Sequence, residues 1–170
     1  TIDIALYALL LVVGINLGAD PRFPEIIRSI RPRIFFIPLA TILGTLLGVI
    51  VYHILFDYLP FNESVAVGMG FGYYSLSSVI LNQLDGEELG LIALMANISR
   101  EVLTLLFAPF LARFTGKLAP VVAGGATSMD ITLPVIMNAS GKRFLIHAMI
   151  HGVLLSILVP VLVTLAYQLL

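Results

Sequence analysis

Arg100, Glu101 and Asp130 lie inside otherwise apolar runs of this 170-residue sequence. Holding an ionised group in hydrocarbon costs at least a few kcal/mol, so charges at such positions face a bundle interior or a solute path. Such groups kept from bulk water suit a charged small solute. A carboxylate shielded in this way can also exchange a proton near neutral pH.

The three charges sit in patterned surroundings. Along 89–111, Ala93, Asn97, Arg100, Glu101, Thr104 and Ala108 recur at i, i+3 and i+4 spacing and share one helix face, while leucine, isoleucine and valine cover the rest. A polar stripe on a lipophilic helix must look inward. The competing reading is an internal salt bridge, from Arg100 to Asp130 or to Glu101, that only holds the bundle.

Asp130 follows Gly124, Gly125, Ala126, Thr127 and Ser128, a run able to gather backbone groups and two hydroxyls around one point. The alternative is a tight turn whose aspartate caps a following helix. A second run, Gly68, Gly70 and Gly72, leads into Tyr73, Tyr74, Ser75, Ser77 and Ser78. Its hydroxyls suit a solute path, whereas Tyr73 and Tyr74 suit anchoring at the membrane interface. His147 and His151 stand one helical turn apart without an H-E-x-x-H motif, so they read as hydrogen-bonded core residues or a minor proton relay. No metal or other cofactor is expected. Ala148, Gly152 and Ser156 read as a packing stripe.

Composition says what must position these residues. Apolar residues make up 59% of the chain, charged residues 11% against about 25% in ordinary soluble domains, and mean hydropathy is +1.07. A chain of this size cannot cover so much apolar surface with its own outside, so the lipid bilayer is its solvent. The fold class expected is all-α integral membrane, a multi-span helical transporter forming a single membrane domain over 1–170. Spans are expected at about 4–18, 34–56, 89–111 and 144–169, with a short interfacial helix carrying Arg22, Arg28, Arg31 and Arg33 after the first. Thr41, Gly44, Thr45 and Gly48 would let a neighbouring helix approach the second span closely.

Segments 62–82 and 118–138 carry too much glycine and proline for unbroken helices. Freed backbone groups at membrane depth are tolerated only where protein or a water-filled cavity satisfies them. The two segments are therefore expected as broken or re-entrant hairpins entering from opposite faces. That arrangement places Arg22, Arg28, Arg31, Arg33, Arg113, Lys117, Lys142 and Arg143 on one face, and Asp3, Asp57, Glu63, Asp85, Glu87 and Glu88 on the other. Cytoplasmic loops are enriched in lysine and arginine, so both termini are expected outside. Inverted broken elements meeting near the midplane are a common way to build a secondary transporter's site.

The net charge of −1 and the scattered basic residues exclude a nucleic-acid footprint, and the absence of cysteine excludes disulfides and thiolate metal sites. No nucleophile elbow or paired-aspartate motif supports an intramembrane hydrolase. Thr1 reads as a processed or truncated start.

Taken together, Gly70-Phe-Gly-Tyr-Tyr-Ser-Leu-Ser-Ser78, Ser99-Arg-Glu101 and Gly124-Gly-Ala-Thr-Ser-Met-Asp130 with Leu133-Pro134 resemble the lysine exporter (LysO, lysine outward permease) family. His151-Gly152 and Pro160 are similar to that family's final helix. The resemblance implies export of L-lysine and its analogue thialysine across the cytoplasmic membrane of a prokaryote, with Glu101 and Asp130 matching embedded acidic residues that matter there. It also implies further N-terminal helices, supplied by a separate subunit, a homo-oligomer or residues outside this sequence. The site expected on all these grounds comprises Asp130, Glu101, Arg100, Asn97, Ser75, Ser77, Thr127, Ser128 and Tyr74, with protons as the coupling ion. A passive channel or an accessory half-subunit of a two-part transporter is the alternative.

Overall fold

The computed structural model describes residues 32–169 together with the isolated positions 11, 15, 19 and 21. Apart from those positions, the expected first span at 4–18 and the helix bearing Arg22, Arg28 and Arg31 fall outside the described residues.

Helix α1 covers Phe36–Phe56 and ends where Asp57 enters the left-handed region, its N–H returning to the His53 carbonyl. Four apolar helices then follow the polar breaks in the sequence: α2 over Phe61–Gly68, α3 over Tyr74–Asp85, α4 over Glu87–Phe114 and α5 over Ala119–Gly124. A 3₁₀ turn at Gly125–Met129 leads to α6 over Leu133–Ser140, and a second at Lys142–Phe144 leads into α7 over Leu145–Leu169. The described residues contain no strand.

Length separates two kinds of helix. The segments Phe36–Phe56, Glu87–Phe114 and Lys142–Leu169 contain 21, 28 and 28 residues, long and apolar enough to cross a membrane. At ~1.5 Å per residue they reach roughly 30–40 Å, against about 30 Å of hydrocarbon. The outward sides of these helices show Leu47, Ile54, Leu103, Leu106, Ile157 and Val161, which lipid covers. The protein is thus a multi-pass helical membrane protein.

The short helices form two hairpins. Asn62, at the start of α2, donates to the Tyr167 carbonyl at 3.2 Å, and the Tyr167 hydroxyl donates to Asp85, at the end of α3, at 2.9 Å. Both ends of the α2–α3 element therefore lie against the C-terminal turn of α7, so this element returns to the face it left. Lys117, just before α5, likewise donates to the carbonyl of Ala139 near the end of α6 at 2.9 Å. This second element returns to the opposite face, where α4 ends and α7 begins. Asp57, Glu63, Asp85, Glu87 and Glu88 belong to the ends on the first face; Arg113, Lys117, Lys142 and Arg143 belong to those on the second.

Each hairpin has its own apolar core. Val65, Phe71, Leu76, Ile80 and Leu81 of the first pack with Leu89 and Leu155. Val121, Leu133 and Ile136 of the second pack with Ile37, Met149 and Ile150. Helix α7 contributes to both cores and so runs between the hairpins.

Candidate functional site

Backbone chemistry explains where each hairpin breaks. After Gly68 the chain tightens through short turns, with Phe71 N–H on the Gly68 carbonyl and Tyr73 N–H on the Gly70 carbonyl. Phe71 and Gly72 both have positive φ, at 47° and 88°. In the second hairpin Gly125 has φ 60°. Glycine occupies such backbone at no steric cost, whereas Phe71 is held there by surrounding contacts.

The breaks touch. The Ala126 amide donates to the Phe71 carbonyl at 2.9 Å. A Cβ on Gly125 would run into that same carbonyl, and one on Gly72 would stand 3.4 Å from the Gly124 carbonyl. Helix α7 closes against the crossing through Gly152, where a Cβ would lie 2.6 Å from the Met129 Cβ and 2.8 Å from the Ala126 carbonyl. Gly152 thus serves close packing, as its place in the small-residue stripe suggests.

Asn97 and Arg100, one turn apart on α4, each pin one break. Asn97 is 3% exposed. Its Oδ1 accepts from Gly72 N–H at 2.7 Å, and its Nδ2 donates to the carbonyls of Val67 at 3.1 Å and Ala93 at 2.9 Å. The Arg100 Nε and Nη2 donate to the carbonyls of Ala123 and Val122 at 3.0 and 3.2 Å, and Nη1 donates to Thr45 Oγ1 at 3.1 Å. Its guanidinium also lies 5.8 Å from the Phe71 ring centre, within cation–π range. Among the described residues Arg100 has no carboxylate partner, and the ion pair present there joins His53 to Asp57 at 3.5 Å. The salt-bridge reading of Arg100 is therefore replaced by one in which the guanidinium satisfies carbonyls freed by the second break. With three of its five N–H donors engaged, two remain. They border a cavity of about 1030 Å³ between α1, α4 and α5, lined by Thr41, Gly44, Thr45, Gly48 and Thr104 among others.

A third network ties the second break to α1 and α7. His151 is fully buried, with Nε2 at 2.8 Å from Thr41 Oγ1 and Nδ1 at 3.0 Å from Ser128 Oγ. Ser128 also lies within bonding distance of the carbonyls of Gly125 and Ala148.

The carboxylates lie elsewhere. Asp130 follows the 3₁₀ turn and is exposed at the bundle surface. Its Oδ1 accepts from the Ile131 amide at 2.6 Å, while the residue at the start of α6, Thr132, makes no side-chain cap. Asp130 therefore caps no helix and keeps one oxygen open. Glu101 Oε2 on α4 is buried without a hydrogen-bond partner. A small cavity of about 20 Å³ is lined by Tyr73, Ala126, Thr127, Met129, Asp130 and Ser156.

The residues expected at a site thus divide. Asp130 and Thr127 share the small cavity, Glu101 keeps a buried carboxylate oxygen unpaired on α4, and Arg100 opens on the groove beside α1. Asn97, Ser77 and Ser128 spend their polar atoms on the framework, Ser77 donating to the Tyr73 carbonyl at 3.0 Å. Ser75 is exposed at the first turn of α3, next to half-buried Tyr74. Tyr73 stands beside the break rather than anchoring at an interface, because the turn after Gly72 carries it into the bundle. Sequence reasoning did not place Ser156 beside Asp130 at this cavity, since a serine in a run of small residues looks like packing, and missed the tie of Thr45 to Arg100, which leaves no trace in spacing.

Comparison with known proteins gives this geometry a family. The family described as "Lysine exporter LysO" matches residues 1–167. The chain is 33% identical over 162 residues to the "Lysine exporter LysO" of Escherichia coli (strain K12), covering 95% of this chain and 53% of that protein. It is 36% identical over 104 residues to the "Putative lysine exporter" of Haemophilus influenzae, covering 61% of this chain and 53% of that one. The chain spans about half the length of these curated relatives, and no solved structure matches it. With the family matched across nearly its whole length, the chain belongs to the lysine exporter LysO family.

Proposed function

We propose that this chain forms the solute-binding part of a secondary transporter that exports L-lysine, and its analogue thialysine, across the cytoplasmic membrane. The observation that carries this reading is the gathering of Asp130, Tyr73 and Thr127 around one small cavity beside the point where two broken hairpins cross, in a chain of the lysine exporter family. The two carboxylates attract the ammonium groups of lysine. Amides at the breaks meet the α-carboxylate, or Arg100 does so when lysine has moved to the groove beside α1. Lysine and protons alternate at Asp130 and Glu101, so the outward movement of one is exchanged for the other. Tyr73 and Thr127 border the same space. The protein is a transporter and not an enzyme.

Orientation follows from charge. The face bearing Arg113, Lys117, Lys142 and Arg143 is cytoplasmic, and the face bearing Asp57, Glu63, Asp85, Glu87 and Glu88 is external, which puts both termini outside. An acidic exit suits a cationic product.

Because the chain spans about half the length of its curated relatives, a second reading makes it an accessory half whose groove beside Arg100 packs against the rest of the transporter. A separate N-terminal subunit, a second copy of the chain or residues outside this sequence would complete it. Cells loaded with a lysine-containing dipeptide separate the readings. The Asp130→Asn protein should insert normally and fail to export lysine. Unchanged export would remove Asp130 from the mechanism and favour the accessory reading.

A further inference from the structure

Several hydroxyl groups on the helices of this protein fold back onto their own backbone. Thr41, Ser77, Thr104 and Thr164 each donate to the carbonyl four residues earlier. Ser156 on α7 does not. It is 1% exposed, and its Oγ has no hydrogen-bond partner. A buried polar atom left unpaired costs about 1–3 kcal/mol, so a residue that forgoes an available carbonyl calls for a reason.

The reason lies in the space that Ser156 lines. The cavity of about 20 Å³ runs from buried Ser156 to exposed Asp130, past Tyr73 and Thr127. That volume holds one particle about the size of a water molecule. Its polar lining residues, Asp130, Ser156, Tyr73 and Thr127, all carry oxygen as their side-chain polar atom. The Thr127 hydroxyl proton is directed to the Gly124 carbonyl at 2.9 Å, which leaves its lone pairs free. The basic side chain nearest the crossing, Arg100, is bonded into the groove on α1 and α5. One carboxylate with neutral oxygens suits a hard cation of single charge. A divalent ion would demand more carboxylates and six or more oxygens.

We propose that the cavity between Tyr73, Thr127, Asp130 and Ser156 is a site for one dehydrated monovalent cation of sodium size, with Asp130 supplying the charge and Ser156 the innermost ligand. The inference rests on reading this chain as an exchanger, because it makes sodium a second ion, besides the proton, that trades places with lysine at Asp130. Ser156 is then a ligand and not a packing residue.

The test measures binding rather than transport. The full chain, purified in detergent with any partner that accompanies it, is melted in sodium, potassium or choline chloride at equal ionic strength. Sodium should raise the melting temperature above choline, and potassium should do so less. Ser156→Ala should raise the half-saturating sodium concentration about tenfold or more, equivalent to ~1.4 kcal/mol of binding, and Asp130→Asn should abolish the response. Ser156→Cys keeps the volume but offers soft sulfur, so it should weaken the response as well if the alanine variant fails to fold. Ser140→Ala, which removes another buried unpartnered hydroxyl, should leave the sodium response unchanged. Identical melting of the wild type in sodium and choline overturns the proposal, as does an unaltered half-saturation in Ser156→Ala and Ser156→Cys. A sodium response in a protein that moves no lysine would instead overturn the transport reading.

Discussion

The Ala126 amide and the Phe71 carbonyl, 55 residues apart in sequence, form a 2.9 Å hydrogen bond that joins the two interrupted hairpins at their breaks. Each break satisfies in the other a backbone group that lipid would leave bare. This contact explains why glycines stand where they do. Gly125 needs both its positive φ and its missing Cβ to let the Phe71 carbonyl approach. Gly125→Ala should therefore lower stability by about 1–3 kcal/mol or more, through overpacking and backbone strain together. Thermal melting in detergent checks this, and a wild-type melting temperature would show that the crossing is not tight.

Asn97 pairs with the Gly72 amide and the Val67 carbonyl around the first break, and with the Ala93 carbonyl on its own helix. Asn97→Ala leaves the Gly72 amide without its partner in a buried place, at a cost of about 1–3 kcal/mol, while the Val67 carbonyl keeps its bond from the Gly70 amide. Hydrogen exchange at the amides of 70–73 should accelerate while exchange in α1 stays slow. Uniform acceleration across the chain would mean that Asn97 supports the whole bundle and not one hairpin.

Arg100 addresses three acceptors from three different nitrogens. Lysine keeps the charge but offers one compact ammonium, so Arg100→Lys cannot reproduce that fan of bonds. Lysine export in loaded cells should fall severalfold or more in Arg100→Lys, with the protein still in the membrane. Full activity in that variant would reduce Arg100 to a point charge.

On the acidic face, burial and the neighbouring Asp85 and Glu88 carboxylates raise the Glu63 carboxyl above its ordinary range. A carboxyl whose folded value is raised binds its proton more readily folded than unfolded. Its contribution is therefore full below the ordinary Glu value and is lost as pH rises through the folded one. Glu63→Gln should melt higher than wild type at neutral pH, and the difference should vanish in acid. An equal difference at both pH values would show that charge is not the cause.

How much of this was legible beforehand depends on what each residue's neighbours are. The intramembrane positions of Arg100, Glu101 and Asp130 stood out because charge is rare in apolar runs. The two interrupted segments stood out because glycine and proline cluster there. Periodicity also placed Asn97 and Thr104 on the buried side of α4, since a 3.6-residue repeat is a local property. Partners are not local. Nothing in the spacing says that Arg100 bonds to Val122, Ala123 and Thr45 rather than to Asp130, or that Ser128 and Thr41 share His151. Ser156 was hidden for the same reason: its meaning lies in the cavity that Asp130 and Tyr73 border, which exists only once α7 has packed against the second break.

The central claim is that Asp130 is where lysine exchanges for a small cation. The most direct test is radiolabelled lysine movement in proteoliposomes holding the full chain and any partner that co-purifies, with an imposed proton or sodium gradient. The account predicts that the wild type moves lysine against its own gradient while either ion gradient lasts, and that Asp130→Asn does not. Mere equilibration of lysine by the wild type, or uphill movement by Asp130→Asn, would contradict it.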